Sequence, residues 1–242
     1  MGTSIQLKSA DGFAFDAYVA QPAQAAKAAV VILQEIFGVN DHIRKVADGY
    51  AQAGYLAIAP ATFARAKTGV ELGYTPDDMN AGFALKTAIE NLPAPGVMAD
   101  IQAAVDYAAA QTHGKVGVVG YCWGGRTAWL YARHNPQLKA AVAYYGLLNG
   151  MKSDIKPADP VDFAAEIKVP VLGLYAGTDA FVKPEVIDQM RAGIAKSGSG
   201  SEIVVFPNVN HGFNADYRPT YDKGAALYAQ KLASEWLKDH GV

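Results

Sequence analysis

The chain has 242 residues, of which 51% are hydrophobic and 18% charged, a balance that supplies a sizeable core and excludes a disordered chain. A formal net charge of -2 and a pI near 6.2 leave no basic footprint for a phosphate backbone, and no window approaches the ~18 apolar residues that span a bilayer. One cysteine cannot close an internal disulfide, and no Cys/His cluster has zinc-ligand spacing, so no structural metal is expected.

The N-terminus has no basic segment followed by an apolar stretch, which makes a cytoplasmic protein the expectation. Residues 4–8 and 12–20 alternate apolar and polar side chains around the turn signal Ala10-Asp11-Gly12, the pattern of an antiparallel hairpin with one wet face at a sheet edge. Nearly continuous apolar runs follow at 29–33, 55–59, 116–119, 140–144, 171–175 and 203–206, as in strands covered on both faces. Helical stretches fall between them at 40–53, 94–111, 125–134, 184–196 and 225–240. This alternation predicts one α/β domain with a mostly parallel sheet and crossover helices. Segment 62–92 is less regular. It holds the loop GVELGYTPDD and a short helix, and is a candidate wall or lid for a site.

The stretch VGVVGYCWGGRTA sets the only cysteine, Cys122, in a Gly-x-nucleophile-x-Gly pattern between a predicted strand and a predicted helix. A sharp strand-to-helix turn brings backbone close on both sides of the nucleophile, and glycine removes the side chains that would clash there. A thiol so placed sits at a helix N-terminus, where N–H groups and the dipole favour a thiolate. Without that context a lone cysteine reads as small apolar packing.

In α/β-hydrolases the nucleophile is followed in the chain by the acid and then the histidine. His42 and His113 precede the cysteine, His134 ends a helix, and His240 lies near the C-terminus after a long helix. His211, in FPNVNHGFNADYR, lies just beyond the last apolar strand and next to Gly212. Among the carboxylates between Cys122 and His211, Asp179 in LYAGTDAFV directly follows a strand and precedes a helix. A turn or capping aspartate is its alternative reading. The predicted triad is Cys122 as nucleophile, His211 as general base and later acid, and Asp179 orienting the imidazole.

Together VGYCWGG, LQEIFGVN, YAGTDAFV and NHGF resemble the dienelactone hydrolase (carboxymethylenebutenolidase) family of α/β-hydrolases over nearly the whole chain. The resemblance implies that fold, no cofactor, and the triad Cys122, Asp179 and His211. It also implies that Glu35 lies beside the thiol and helps to control its proton. Read alone, a carboxylate at the end of an apolar strand asks for a partner, which local backbone donors or Arg44 could also supply. The family's oxyanion hole would use the backbone N–H groups of Trp123 and Ile36. Phe37, Tyr145 and Phe181 match positions that line the family's pocket. Of the family arginines that receive a substrate carboxylate, one lies four residues after the histidine, where this chain has Ala215, and a second has no clear counterpart in GVELGYTPDDMNAGFALK. Arg65 and Arg218 are the candidates to replace them, though neither is aligned with those positions, and since a bidentate clamp is geometric, a substrate other than dienelactone itself is expected.

The expected protein is a monomeric, cofactor-independent hydrolase that opens a small lactone or carboxylic ester through a thioester acyl-enzyme. It is expected to have no nucleic-acid or membrane partner. A thiolate is strongly nucleophilic but also a fair leaving group, so amides should be poor substrates. The rival readings are the same thiolate acting on a phosphotriester or thioester, and a non-catalytic thiol that serves as a redox sensor.

Overall fold

The computed structural model describes residues 2–242. Two compact units divide it: residues up to Val118 together with Val242, and Val119–Gly241.

In the first unit β1 (Thr3–Lys8) and β2 (Ala14–Ala20) form the predicted antiparallel hairpin, with Thr3 opposite Val19 and Lys8 opposite Ala14. Its turn is closed by the Gly12 N–H on Ser9 O at 2.9 Å, and Gly12 takes φ +89°. Phe15, Ala17 and Val19 alternate inward along β2, as the period-2 pattern requires. Strand order here is β1-β2-β4-β3, with β4 (Leu56–Pro60) antiparallel to β2 and parallel to β3 (Ala29–Leu33). Every residue of β3 and β4 is buried, which explains their unbroken apolar runs. β4 starts after Tyr55 because the Tyr55 N–H is taken by Tyr50 O at the end of α1 (Asp41–Gln52).

The irregular segment contains a full helix, α2 (Pro76–Glu90), opened by a Thr75/Asp78 capping box. Only Gly82 and Ile89 of α2 are buried, so its sequence shows little helical periodicity. Before it, residues 70–72 strap the chain that leaves β3. The Leu72 N–H bonds Phe37 O at 2.8 Å, Asn40 Nδ2 bonds Leu72 O at 3.0 Å, and Gly38 bridges Glu71. A Cβ on Gly82 would lie 2.4 Å from Ile36 O, so α2 approaches this chain through bare backbone. The next helix, α3 (Val97–Thr112), opens three residues later than predicted because Gly96 holds a non-helical φ of +47°. It packs on β3 and β4.

The boundary between the units falls inside β5 (Val116–Tyr121). The second unit continues in the order β5-β6-β7-β8, with β6 (Ala140–Tyr144), β7 (Val171–Ala176) and β8 (Glu202–Phe206) parallel to one another. Helix α4 (Trp123–His134) packs on β6, α6 (Lys223–Asp239) on β6 and β7, and α5 (Pro184–Ser197) on β8. Trp129 of α4 donates its indole N–H to the Tyr175 hydroxyl of β7 at 3.0 Å, satisfying both polar groups inside the core. The mostly parallel α/β class and the N-terminal hairpin are as the sequence pattern indicated. Among the described residues no helix is long and apolar enough to cross a membrane.

Candidate active site

Cys122 is the single residue between β5 and α4, at φ +54°, ψ -112°. A non-glycine side chain in that region costs about 1–3 kcal/mol and persists only where its surroundings fix it. Its N–H bonds Tyr144 O and its carbonyl accepts from the Arg126 N–H, both at 3.0 Å. The glycines explain why the turn can close. A Cβ on Gly120 would lie 1.9 Å from Gly124 O, and one on Gly125 would lie 2.4 Å from Tyr144 O. The half-buried thiol is thus presented at the first turn of α4.

The other two predicted triad residues lie at the carboxyl ends of neighbouring parallel strands, Asp179 after β7 and His211 after β8. His211 Nδ1 and Asp179 Oδ2 are 2.8 Å apart, and Asp179 Oδ1 accepts the Phe181 N–H at 2.8 Å. His211 is only 7% exposed. Burial by itself would push the imidazole down. The Cys122 charge and the hydrogen bonds to Asp179 and Cys122 outweigh it and raise the pKa to about 10. The structure therefore brings Asp179 to one nitrogen of His211 and sets Cys122 near enough to act on the same imidazole. Of the other carboxylates in the stretch, Asp159 is also buried, but it holds Arg126 at 2.7 Å instead.

Aromatic rings flank the imidazole. Tyr145 and Phe181 each have a centroid 5.0 Å from that of His211, at steep interplanar angles of 62° and 71°. Tyr145 is fully buried with φ +40°, whereas Phe181 is 49% exposed. The guanidinium of Arg218 lies over the glycine after the histidine, since a Cβ on Gly212 would meet Arg218 Nη1 at 2.4 Å. Ala215 is fully buried.

Glu35, Ile36 and Phe37 lie in the first unit, just beyond β3, and all are buried. Phe37 packs edge-on against Tyr74, with centroids 4.5 Å apart. Arg44 turns to Asp41, Glu71 and Val39 O rather than to Glu35. Arg65 has its three guanidinium nitrogens on carboxylates, Nε and Nη2 on Asp100 and Nη1 on Asp11, and it lies 4.5 Å from the Phe13 ring centroid. That is a structural node within the first unit. Two features escaped the sequence reading: the Arg126–Asp159 pair, joined across 33 residues, and the hydrogen bonds of Thr178 to the histidine loop. The Gly-Thr-Asp turn was the only local hint of the second.

A model of the Dienelactone hydrolase family matches residues 15–241. The chain is 40% identical over 232 residues to a Yersinia pestis protein named "Putative carboxymethylenebutenolidase", covering 93% of this chain and 84% of that one. An Escherichia coli K12 protein of the same name is 40% identical over 230 residues, covering 93% and 82%. Among solved structures, that of the "Putative Dienelactone Hydrolase" from Klebsiella pneumoniae is similar at a TM-score of 0.85 and 38% identity, covering 98% of this chain and 99% of that one.

Proposed function

Because the chain belongs to the dienelactone hydrolase family and is a hydrolase of the ester and lactone class, we propose that it works through a covalent thioester on Cys122, with His211 and Asp179 completing the triad. The observation that carries this reading is the 2.8 Å contact of His211 Nδ1 with Asp179 Oδ2, on an imidazole whose pKa Cys122 and Asp179 both raise.

In the first half-reaction the Cys122 thiolate attacks the carbonyl carbon of a small ester or lactone, forming the C–S bond while the carbonyl electrons move to oxygen. The resulting oxyanion is held by the backbone N–H of Trp123 and, following the family pattern, that of Ile36. Collapse of this intermediate breaks the C–O bond, and the His211 imidazolium gives its proton to the departing oxygen. In the second half-reaction neutral His211 takes a proton from water, which attacks the thioester. The acid is released and the thiolate–imidazolium pair is restored. Asp179 fixes the ring through Nδ1, leaving Nε2 for the thiol, the departing oxygen and the water.

Glu35 has the role the resemblance gives it, control of the thiol proton. Phe37, Tyr145 and Phe181 keep the pocket positions that the family pattern gives them, and Arg218 is the candidate contact for a polar or anionic end of the substrate. Arg65, held by Asp11 and Asp100, receives no substrate role. The substrate class is activated: aryl esters, enol esters and enol lactones, whose leaving oxygens depart more readily than the thiolate.

The test is hydrolysis of short aryl esters and enol lactones by the wild type and by Cys122→Ala, with mass spectrometry of the enzyme quenched during turnover. The expected result is an acyl adduct on Cys122 and a loss of about 10³-fold or more in the variant. Undiminished turnover by Cys122→Ala overturns the proposal.

A further inference from the structure

The acid and the base of the triad stand on different loops, 177–181 after β7 and 207–212 after β8, and the structure laces these loops together just before the catalytic side chains. The Gly177 N–H bonds Phe206 O at 2.7 Å, and the Thr178 N–H bonds Val209 O at 3.0 Å. The Thr178 hydroxyl shares its one proton between the same Val209 O at 2.8 Å and Asn210 Oδ1 at 3.1 Å. Thr178 immediately precedes Asp179, and Asn210 immediately precedes His211. A Cβ on Gly177 would lie 2.9 Å from Phe206 O, so the two chains run as close there as backbone allows. Yet Thr178 and Asn210 are exposed, and Asn208 on the histidine loop holds φ +60°. An exposed threonine with two side-chain contacts to one strained loop is poorly explained by core packing.

From this juxtaposition we propose that Thr178 is a positioning residue for hydrolysis: its hydroxyl ties the acid loop to the histidine loop, so that Asp179 and His211 keep their 2.8 Å contact while the imidazole passes protons. This rests on the triad reading given above. The two main-chain bonds tie Gly177 to Phe206 and Thr178 to Val209, all before the acid and the base. The hydroxyl contact to Asn210 adds a side-chain tie to the residue next to His211, which the main-chain bonds do not supply. Small losses of alignment between an acid–base pair and its reacting atoms lower turnover far more than they lower stability.

The experiment compares Thr178→Val, which keeps the side-chain shape and removes the hydroxyl, with Thr178→Ser, which keeps the hydroxyl. Readouts are kcat and KM on an aryl ester, thermal stability, and the downfield imidazole N–H resonance of the His211–Asp179 hydrogen bond. Thr178→Val should lower kcat by about fivefold with KM and melting temperature unchanged, and the resonance should broaden through faster exchange. Thr178→Ser should stay within about twofold of the wild type on every readout. Wild-type kcat in Thr178→Val, equal losses in both variants, or a loss of kcat that tracks a fall in melting temperature each overturns the assignment. The triad itself is read separately: undiminished turnover by His211→Gln removes the triad, and the role of Thr178 with it, whatever the threonine variants do.

Discussion

Among the buried carboxylates that hold a cation, Asp100 and Asp179 do so in opposite ways. Asp100, in the first unit, grips Arg65 through both oxygens at 2.7 Å and also accepts the Ser9 hydroxyl. Asp179, in the second, holds His211 through one oxygen and turns the other to the Phe181 N–H. The arginine is a permanent charge gripped by a fork, and Asp11 engages what remains of its geometry. The histidine is a titratable charge that Asp179 holds through one ring nitrogen, Nδ1. A bidentate pair fixes the chain between its members, here the hairpin turn, the stretch after β4, and α3. A single contact fixes a ring and leaves its far nitrogen available. Asp100 thus takes two of the guanidinium's donors, whereas Asp179 takes one nitrogen of the imidazole.

The sharpest way to break this contrast is to neutralise each carboxylate in turn. Asp179→Asn should lower kcat by about 10³–10⁴-fold, because the amide no longer selects the tautomer or supports the imidazolium, while folding is largely kept. Asp100→Asn should act in the other direction. Leaving Arg65 without its main partner should lower unfolding stability by about 3 kcal/mol in urea denaturation, with kcat per folded molecule unchanged. If Asp100→Asn lost turnover while keeping its stability, the node would not be the brace described here.

The same contrast shows why parts of the molecule could be read from the chain and parts could not. The buried strands announced themselves, since β3, β4, β6 and β7 are covered on both faces and so are unbroken apolar runs. The turn at Cys122 was legible because its glycines answer to local clashes, and the local pattern contains both sides of each clash. The placing of Asp179 and His211 was legible through strand ends alone. What could not be read were pairings between distant side chains that no motif or strand end links. Arg65 was a candidate substrate contact because nothing near position 65 shows that Asp100 and Asp11 will close on it. Arg126 and Asp159 met in the same unannounced way. Helix α2 was underestimated because it buries almost nothing, and an exposed helix leaves no stripe.

The smallest effect sharpens the comparison most, because it separates the two cations by titration. His211 has its pKa raised from 6.5 to about 10 in the folded chain. A base whose folded pKa lies above its unfolded value adds stability that is fully present below pH 6.5 and is lost as pH rises towards and through 10. The difference in melting temperature between wild type and His211→Gln should therefore shrink steadily over that interval. Arg65 is pushed further up by its hydrogen bonds with Asp100 and Asp11 against the opposing pull of burial, so it keeps its charge throughout. The corresponding difference for Arg65→Met should stay level from pH 6.5 to 10. The Cys122 charge leads the influences that raise His211, so Cys122→Ala should flatten most of the histidine's slope without touching the arginine's. A slope that survives in Cys122→Ala would mean that Asp179 alone holds the imidazolium, and that the thiol is not the anion the proposed chemistry requires.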